Sequence, residues 1–237
     1  MNDTVRANKQ VVVDFHDRLR DGDLGGIADA FATEWTDHTG AGAVQRTAAN
    51  LALGAQSLLA LGPTTRAQRE VFGEGDRVAW ISTFTRGGQD FSVVVVYRLA
   101  GGKIVERWPG ATAAVRWAWE PVAVAGDTDA TRAVHRRWYE EMYGQGRYLE
   151  LAPQLCGPVF LRHEPTGTFS ATAEEHAARL HQGMQGRPVV MNYDVVAEGR
   201  MVAVVGTYQG GAWTQAWRVA DGKLVESWWA GNLSPGA

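Results

Sequence analysis

The chain repeats itself. VFGEGDRVAWISTF and YRLAGGKIVERW, within residues 71–108, recur as VVAEGRMVAVVGTY and WRVADGKLVESW within residues 195–228. Glu74-Gly75 and Glu198-Gly199 lie 124 positions apart, as do Gly22 and Gly146, and His38 and His163 are offset by 125. Lys103 and Lys223 are 120 apart, so the second copy lacks four residues in the hairpin before its last strands. A near-constant offset over the whole length means two copies of one module of roughly 110 residues. Duplication lets one copy keep a working pocket while the other becomes a scaffold.

The repeat divides the 237 residues into a first module over 1–110, a linker over 111–129 and a second module over 130–237. Hydrophobic residues at 45% and charged residues at 21% are ordinary for a folded globular chain. A net charge of −3 without a Lys/Arg cluster argues against nucleic acid as a partner. The single cysteine, Cys156, excludes an internal disulfide and fits a reducing cytoplasm, where it would be a small buried filler. No apolar run approaches bilayer length, so no membrane partner is expected, and the opening MNDTVRANKQ lacks the pattern of a signal peptide. Ten tryptophans stand out, suited to cores, interfaces and aromatic-walled pockets.

Val11, Val12, Phe15 and Leu19 fall at helical spacing over residues 8–20, and Asp21-Gly22 stops that helix. DLGGIADAF reads as a short second helix capped by Asp23, and WTDHTG as a short strand or turn. An Ala/Leu-rich third helix over 47–61 closes at Gly62-Pro63. From Arg66 to Trp108 the pattern is four β-strands. The second copy repeats the order, with helices over 130–143, 148–155 and 171–184 and strands from Val189 to Trp229. Helices first and a meandering, mainly antiparallel sheet afterwards is an α+β arrangement. Each sheet would curl over its own helices into a cone with an apolar mouth, and the sister sheet is the natural cover for its other face. Such intramolecular pairing leaves monomer or homodimer open. In the linker, WAWEPVAV has the composition of an added edge strand.

FHDRLRDGDLGGIADAFATEWTDHTG resembles the opening of the nuclear transport factor 2-like, or ketosteroid-isomerase-like, superfamily. GEGDRVAW and VYRLAGGKIVERW are similar to the ending of its SnoaL-like polyketide cyclase branch, and the resemblance covers both copies. It implies the cone fold, no cofactor and a hydrophobic small-molecule substrate. Carried over by position, the oxyanion-binding tyrosine of the isomerases falls on Phe15 in the first copy and Tyr139 in the second. The general-base position falls on His38, or its neighbour Asp37, and on His163; the second oxyanion donor falls on Val95 and Gln215. These departures from the isomerase set argue against steroid isomerisation itself.

The residues weigh the same way. On the penultimate strand Phe91, Val93, Val95, Tyr97 and Leu99 form an apolar row, and Val94 and Val96 centre the opposite row, as in a strand buried on both faces. In the second copy the row is Trp213, Gln215, Trp217 and Val219. A glutamine between two tryptophans is either a ligand-orienting amide or an edge residue reaching water. His163 and His38 are fit acid–base groups near neutral pH, and equally fit structural histidines at a bend. On a strand Asp37 points away from His38, so adjacency does not make them a dyad. Tyr139 is either a donor to a developing oxyanion or a core aromatic beside Val134, Trp138 and Met142. Trp138, Tyr193, Tyr208 and Trp228 are further candidates for the same mouth. No metal is expected, because His176 and His181 are five apart on a helix and no cysteine pair supports zinc. Phosphate-loop and nucleophile-elbow patterns are absent.

The expectation is a cofactor-independent cyclase or isomerase acting on a hydrophobic, carbonyl-bearing polyketide- or terpenoid-like intermediate in the second module. A non-catalytic carrier using the same cavity is the alternative, and a dehydratase or epoxide hydrolase of the same fold a further one.

Overall fold

The computed structural model describes residues 3–39, 42–208 and 211–231, the side chains of Arg66 and Tyr208 excepted. The first module runs α1 (Asp3–Asp21), α2 (Leu24–Ile27), β1 (Phe31–Thr39), β2 (Gly42–Thr47), α3 (Ala48–Leu59), β3 (Thr64–Glu74), β4 (Arg77–Arg86), β5 (Gln89–Ala100) and β6 (Lys103–Ala113). The second runs α4 (Thr128–Arg136), α5 (Tyr148–Leu155), β7 (Cys156–Glu164), β8 (Gly167–Thr172), α6 (Ala173–Gly183), β9 (Asn192–Glu198), β10 (Met201–Tyr208), β11 (Gly211–Ala220) and β12 (Lys223–Trp228). Asp23 caps α2 through its side chain, which accepts from the Gly26 N–H. Thr172 and Glu175 form a capping box at α6.

Each module has one six-stranded sheet, in the orders β2-β1-β6-β5-β4-β3 and β8-β7-β12-β11-β10-β9. Only β1 with β6 and β7 with β12 pair in parallel; the other neighbours are antiparallel. Strand β5 shows how one sequence serves two cores. Val95, Tyr97 and Leu99 join Val12, Phe15 and Ile27 in the first module's own core. Val94 and Val96, on the opposite face, join a cluster that also contains Met201, Ala203, Val205 and Ala216 of the second sheet. Trp217 and Val219 of β11 belong to the second module's own core with Tyr139, Met142 and Tyr148.

The linker does not add a strand. Residues 115–125 have no regular structure, and β6 continues to Ala113. Its backbone is bound by side chains in place of a neighbouring strand. Ser92 Oγ donates to the Val115 carbonyl at 2.9 Å and accepts from the Trp117 N–H at 3.2 Å, and Thr168 Oγ1 accepts from the Ala118 N–H at 3.2 Å. Trp117 and Trp119 are turned into the cluster shared by both sheets.

Two contacts between modules mirror each other. Glu198 accepts from the Gly73 N–H at 2.7 Å and from Lys9 Nζ at 2.8 Å. Glu74 accepts from the Ala197 N–H at 3.1 Å and from Arg132. No helix among the described residues is long and apolar enough to cross a membrane.

Candidate active site

The second module's cone encloses a cavity of about 410 Å³ between the turn after α4, the strands β7 and β11, and α6. Three walls bring different chemistry. The first is a π-helical turn, Arg137–Tyr143, that continues α4. A π turn widens the helix locally and rotates side chains relative to an α-helix, a device common at functional sites. Here it presents Trp138, Tyr139 and Tyr143 to the cavity. The Tyr139 ring meets Trp213 and Trp217 edge-on, at 5.5 Å from each. Tyr139 is buried, which pushes its phenol well above the usual value, with Tyr143 and Tyr193 adding to the effect. The proton therefore stays on the oxygen, and the group is a donor across the accessible pH range.

The second wall is β11, where Trp213, Gln215 and Trp217 alternate into the cavity. Gln215 is half-buried, and its amide has no hydrogen-bond partner among the described residues. The third wall joins β7 to α6. Arg162 and Glu164 reach in from β7, and Arg179 and His176 from α6. Glu164 is shared by Arg162 at 2.6 Å and Arg179 at 3.0 Å. His176 lies parallel to Trp138 with ring centroids 5.7 Å apart, is 4% exposed, and neither of its ring nitrogens has a partner among the described residues. Burial lowers its pKa to about 3, with the Arg162 and Arg179 guanidinium groups adding to the shift. The cavity thus brings together a neutral imidazole, a phenol and an amide.

The structure separates the residues singled out from sequence. Tyr139, Gln215, Trp138, Trp213 and Trp217 come together round this cavity. His163 does not. It alternates with Arg162 on β7, so it faces the opposite side of the sheet, where it is fully buried. Its Nε2 lies 2.7 Å from Glu226 and its Nδ1 2.9 Å from Thr168, and Arg218 pairs with the same Glu226. With Glu226 ionised, Nε2–H donates to the carboxylate and Nδ1 accepts from the threonine hydroxyl. His38 repeats this arrangement with Glu106 at 3.2 Å and Arg98, stacked on Trp108 at 4.4 Å. Both histidines join the parallel strand pair of their sheets, and neither lines the cavity described for its module. Trp228 lies against His163, at 5.4 Å, on that same side.

Asp37 does line the first module's cavity, also about 410 Å³, but Arg107 grips it with two bonds of 2.9 and 2.8 Å and Arg46 lies 3.6 Å away. Both of its carboxylate oxygens are thus engaged by guanidinium groups. Tyr193 packs on Tyr139 at 4.9 Å and borders a neighbouring cleft beside Arg132 and His135. The side chain of Tyr208 lies outside the described residues.

In sequence His176 is weighed only as a metal ligand and set aside, and Arg162, Glu164 and Arg179 are not singled out. The alternation that set Asp37 against His38 would have set Arg162 against His163. His176 carried no comparable signal, because the sequence does not show which face of α6 turns to the cavity.

Residues 12–107 match the family described as SnoaL-like domain. A search of curated proteins found no match. Among solved structures, IdmH from Streptomyces antibioticus, provisionally described as a polyketide cyclase, is 17% identical, with 44% of this chain and 91% of that one covered at a TM-score of 0.37. A Kribbella flavida protein provisionally described as a ketosteroid isomerase is 14% identical, with 50% and 84% covered at 0.39. An NTF2-like protein of unknown function from Mesorhizobium loti is 20% identical, with 46% and 93% covered at 0.38.

Proposed function

We propose that this chain, whose first module is a SnoaL-like domain and whose second has the same strand order, performs cofactor-independent acid–base chemistry in the second module's cavity. The substrate is a hydrophobic, carbonyl-bearing small molecule, and the reaction a cyclisation or isomerisation through an enol or enolate. The observation that carries this reading is His176, whose buried ring nitrogens have no partner among the described residues, set in one cavity with the Tyr139 phenol and the Gln215 amide.

In this scheme the Tyr139 phenol and the Gln215 amide donate to the substrate carbonyl as negative charge gathers on its oxygen. His176 accepts the proton from the adjacent carbon. Its low pKa makes it a weak base, but an enolate formed beside it offsets the two guanidinium groups and favours the imidazolium. Returning that proton to a different carbon completes an isomerisation. In a cyclisation the enolate carbon instead attacks a second carbonyl of the same molecule, forming the ring bond as that C=O π bond opens to an alkoxide, which takes the proton held by His176. The tryptophans fold the substrate and exclude water, which lowers the entropic cost of ring closure. His163, buried in its Glu226 pair, is left with a structural role.

Proton transfer can be followed without knowing the natural substrate. A ketone such as 2-tetralone bound in the cavity should exchange its α-hydrogens for deuterium in D₂O, read by NMR. Tyr139→Phe and His176→Gln should each slow that exchange at least about tenfold while binding persists. Unchanged exchange in both variants would remove the assignment. Binding with no exchange by the wild-type protein would favour a carrier.

A further inference from the structure

The first module has a second cleft, of about 260 Å³, between the end of α1, Leu58 of α3 and the outer strands β3 and β4. It adjoins that module's cone cavity, with which it shares Leu19 and Leu58, and has no lining residue in common with the cavity of the second module. Its apolar lining is Leu19, Leu58, Trp80 and Phe84. Trp80 is fixed by parallel stacking on His16 at 3.8 Å and by donation from its indole to Ser82 Oγ at 2.9 Å.

Charge in this cleft does not balance. Arg20 and Arg69 share Asp17 at 2.8 and 2.6 Å, and Arg20 also meets Asp21 at 2.9 Å. Arg86 has no carboxylate within ion-pair distance among the described residues, although it is only 2% exposed. Its Nη2 donates to the Arg20 carbonyl in the last turn of α1 at 3.1 Å, and its Nε is buried with no partner among the described residues. The helix end compensates part of the charge, since the carbonyl end of a helix carries roughly half a negative charge. A guanidinium does not lose its proton when buried. An uncompensated cation at the base of an apolar cleft is satisfied by an anion whose planar fork matches its own.

We propose that this cleft is a second ligand site, one that takes a small monocarboxylate with an apolar body, its carboxylate on Arg86 and its body against Leu19, Leu58 and Phe84. The site belongs to the first module alone. In the second module Glu140 stands at the repeat position of His16, Tyr193 at that of Arg69 and Val204 at that of Trp80. It is independent of the proton chemistry assigned to the other cavity.

Calorimetric titration with 2-naphthoate tests it, with 2-naphthalenemethanol as the uncharged comparator. The carboxylate should bind at least about tenfold more tightly than the alcohol. Arg86→Met should remove that preference. Ala67→Trp, at an exposed position on the rim, should block binding without disturbing the core. Trp213→Ala, in the other cavity, should leave it unchanged. Equal affinity for acid and alcohol would overturn the proposal, as would no binding of either. So would loss of binding in Trp213→Ala with retention in Ala67→Trp. If Arg86→Met does not fold, the comparator ligand and Ala67→Trp decide the matter.

Discussion

On β7 the neighbours Arg162 and His163 take opposite faces of the sheet, and this alternation separates a cavity group from a structural one. The His163–Glu226–Arg218 cluster recurs as His38–Glu106–Arg98, with the same strands joined, so its retention in both copies follows from architecture. His163→Ala should therefore destabilise the fold by about 2–4 kcal/mol, because it opens a cavity and strips a partner from a buried carboxylate. Chemical denaturation would show this, while α-deuterium exchange by the folded variant stays near wild type. A drop in exchange without a drop in stability would return His163 to the chemistry. The buried histidines also set a pH limit. His16, His135 and His176 are each held down to about 3, in every case chiefly by burial. Unfolding restores their ordinary value near 6.5, so the unfolded chain binds more protons between about pH 3 and 6.5. Stability from these groups is fully present above pH 6.5 and is lost as the pH falls toward 3. The melting temperature should fall accordingly, and replacing His135 with Gln should flatten part of that slope.

At the scale of elements, the Glu-Gly turns named first in the sequence show how equal words acquire unequal duties. Gly75 and Gly199 both have φ near +57°, the left-handed region that a side chain resists. A Cβ on Gly75 meets nothing within 4 Å, whereas one on Gly199 would lie 1.6 Å from the Val124 carbonyl oxygen. The linker lies against this turn, where the Arg200 N–H donates to that same carbonyl at 2.8 Å. Gly75→Ala should cost about 1 kcal/mol and Gly199→Ala at least twice that, measured by denaturation. The helices and the strands that form the hairpins were legible from period and turn residues, and α5 falls on the very residues expected, Tyr148–Leu155. Strands β2 and β8 were not, because GAVQRT and GTFSAT are short, largely exposed edge segments with little hydrophobic alternation. The linker misled for a different reason. Trp117 and Trp119 have strand-like spacing, but Ser92, Thr168 and Gln68 bind the backbone that a neighbouring strand would have taken. Of the candidate site, the aromatic wall was legible, since Trp213, Gln215 and Trp217 share one strand face. His176 was not, because its importance lies in unpartnered nitrogens that only packing reveals.

Across the whole molecule, the reciprocal bonds of Glu74 and Glu198 have the form of a two-fold contact, in which each surface meets its own repeat. Removing both carboxylates should cost less than the sum of the single losses if the two bonds support one interface, a non-additivity that a double-mutant cycle in denaturant would register. In a protein assembled from separate subunits, such a contact is made in proportion to concentration and dissolves on dilution. The 115–125 segment ties the two halves covalently, so their meeting becomes a first-order event at an effective concentration set by the tether. The molecule carries its partner with it. The union of its halves is indifferent to how much of the protein a cell makes.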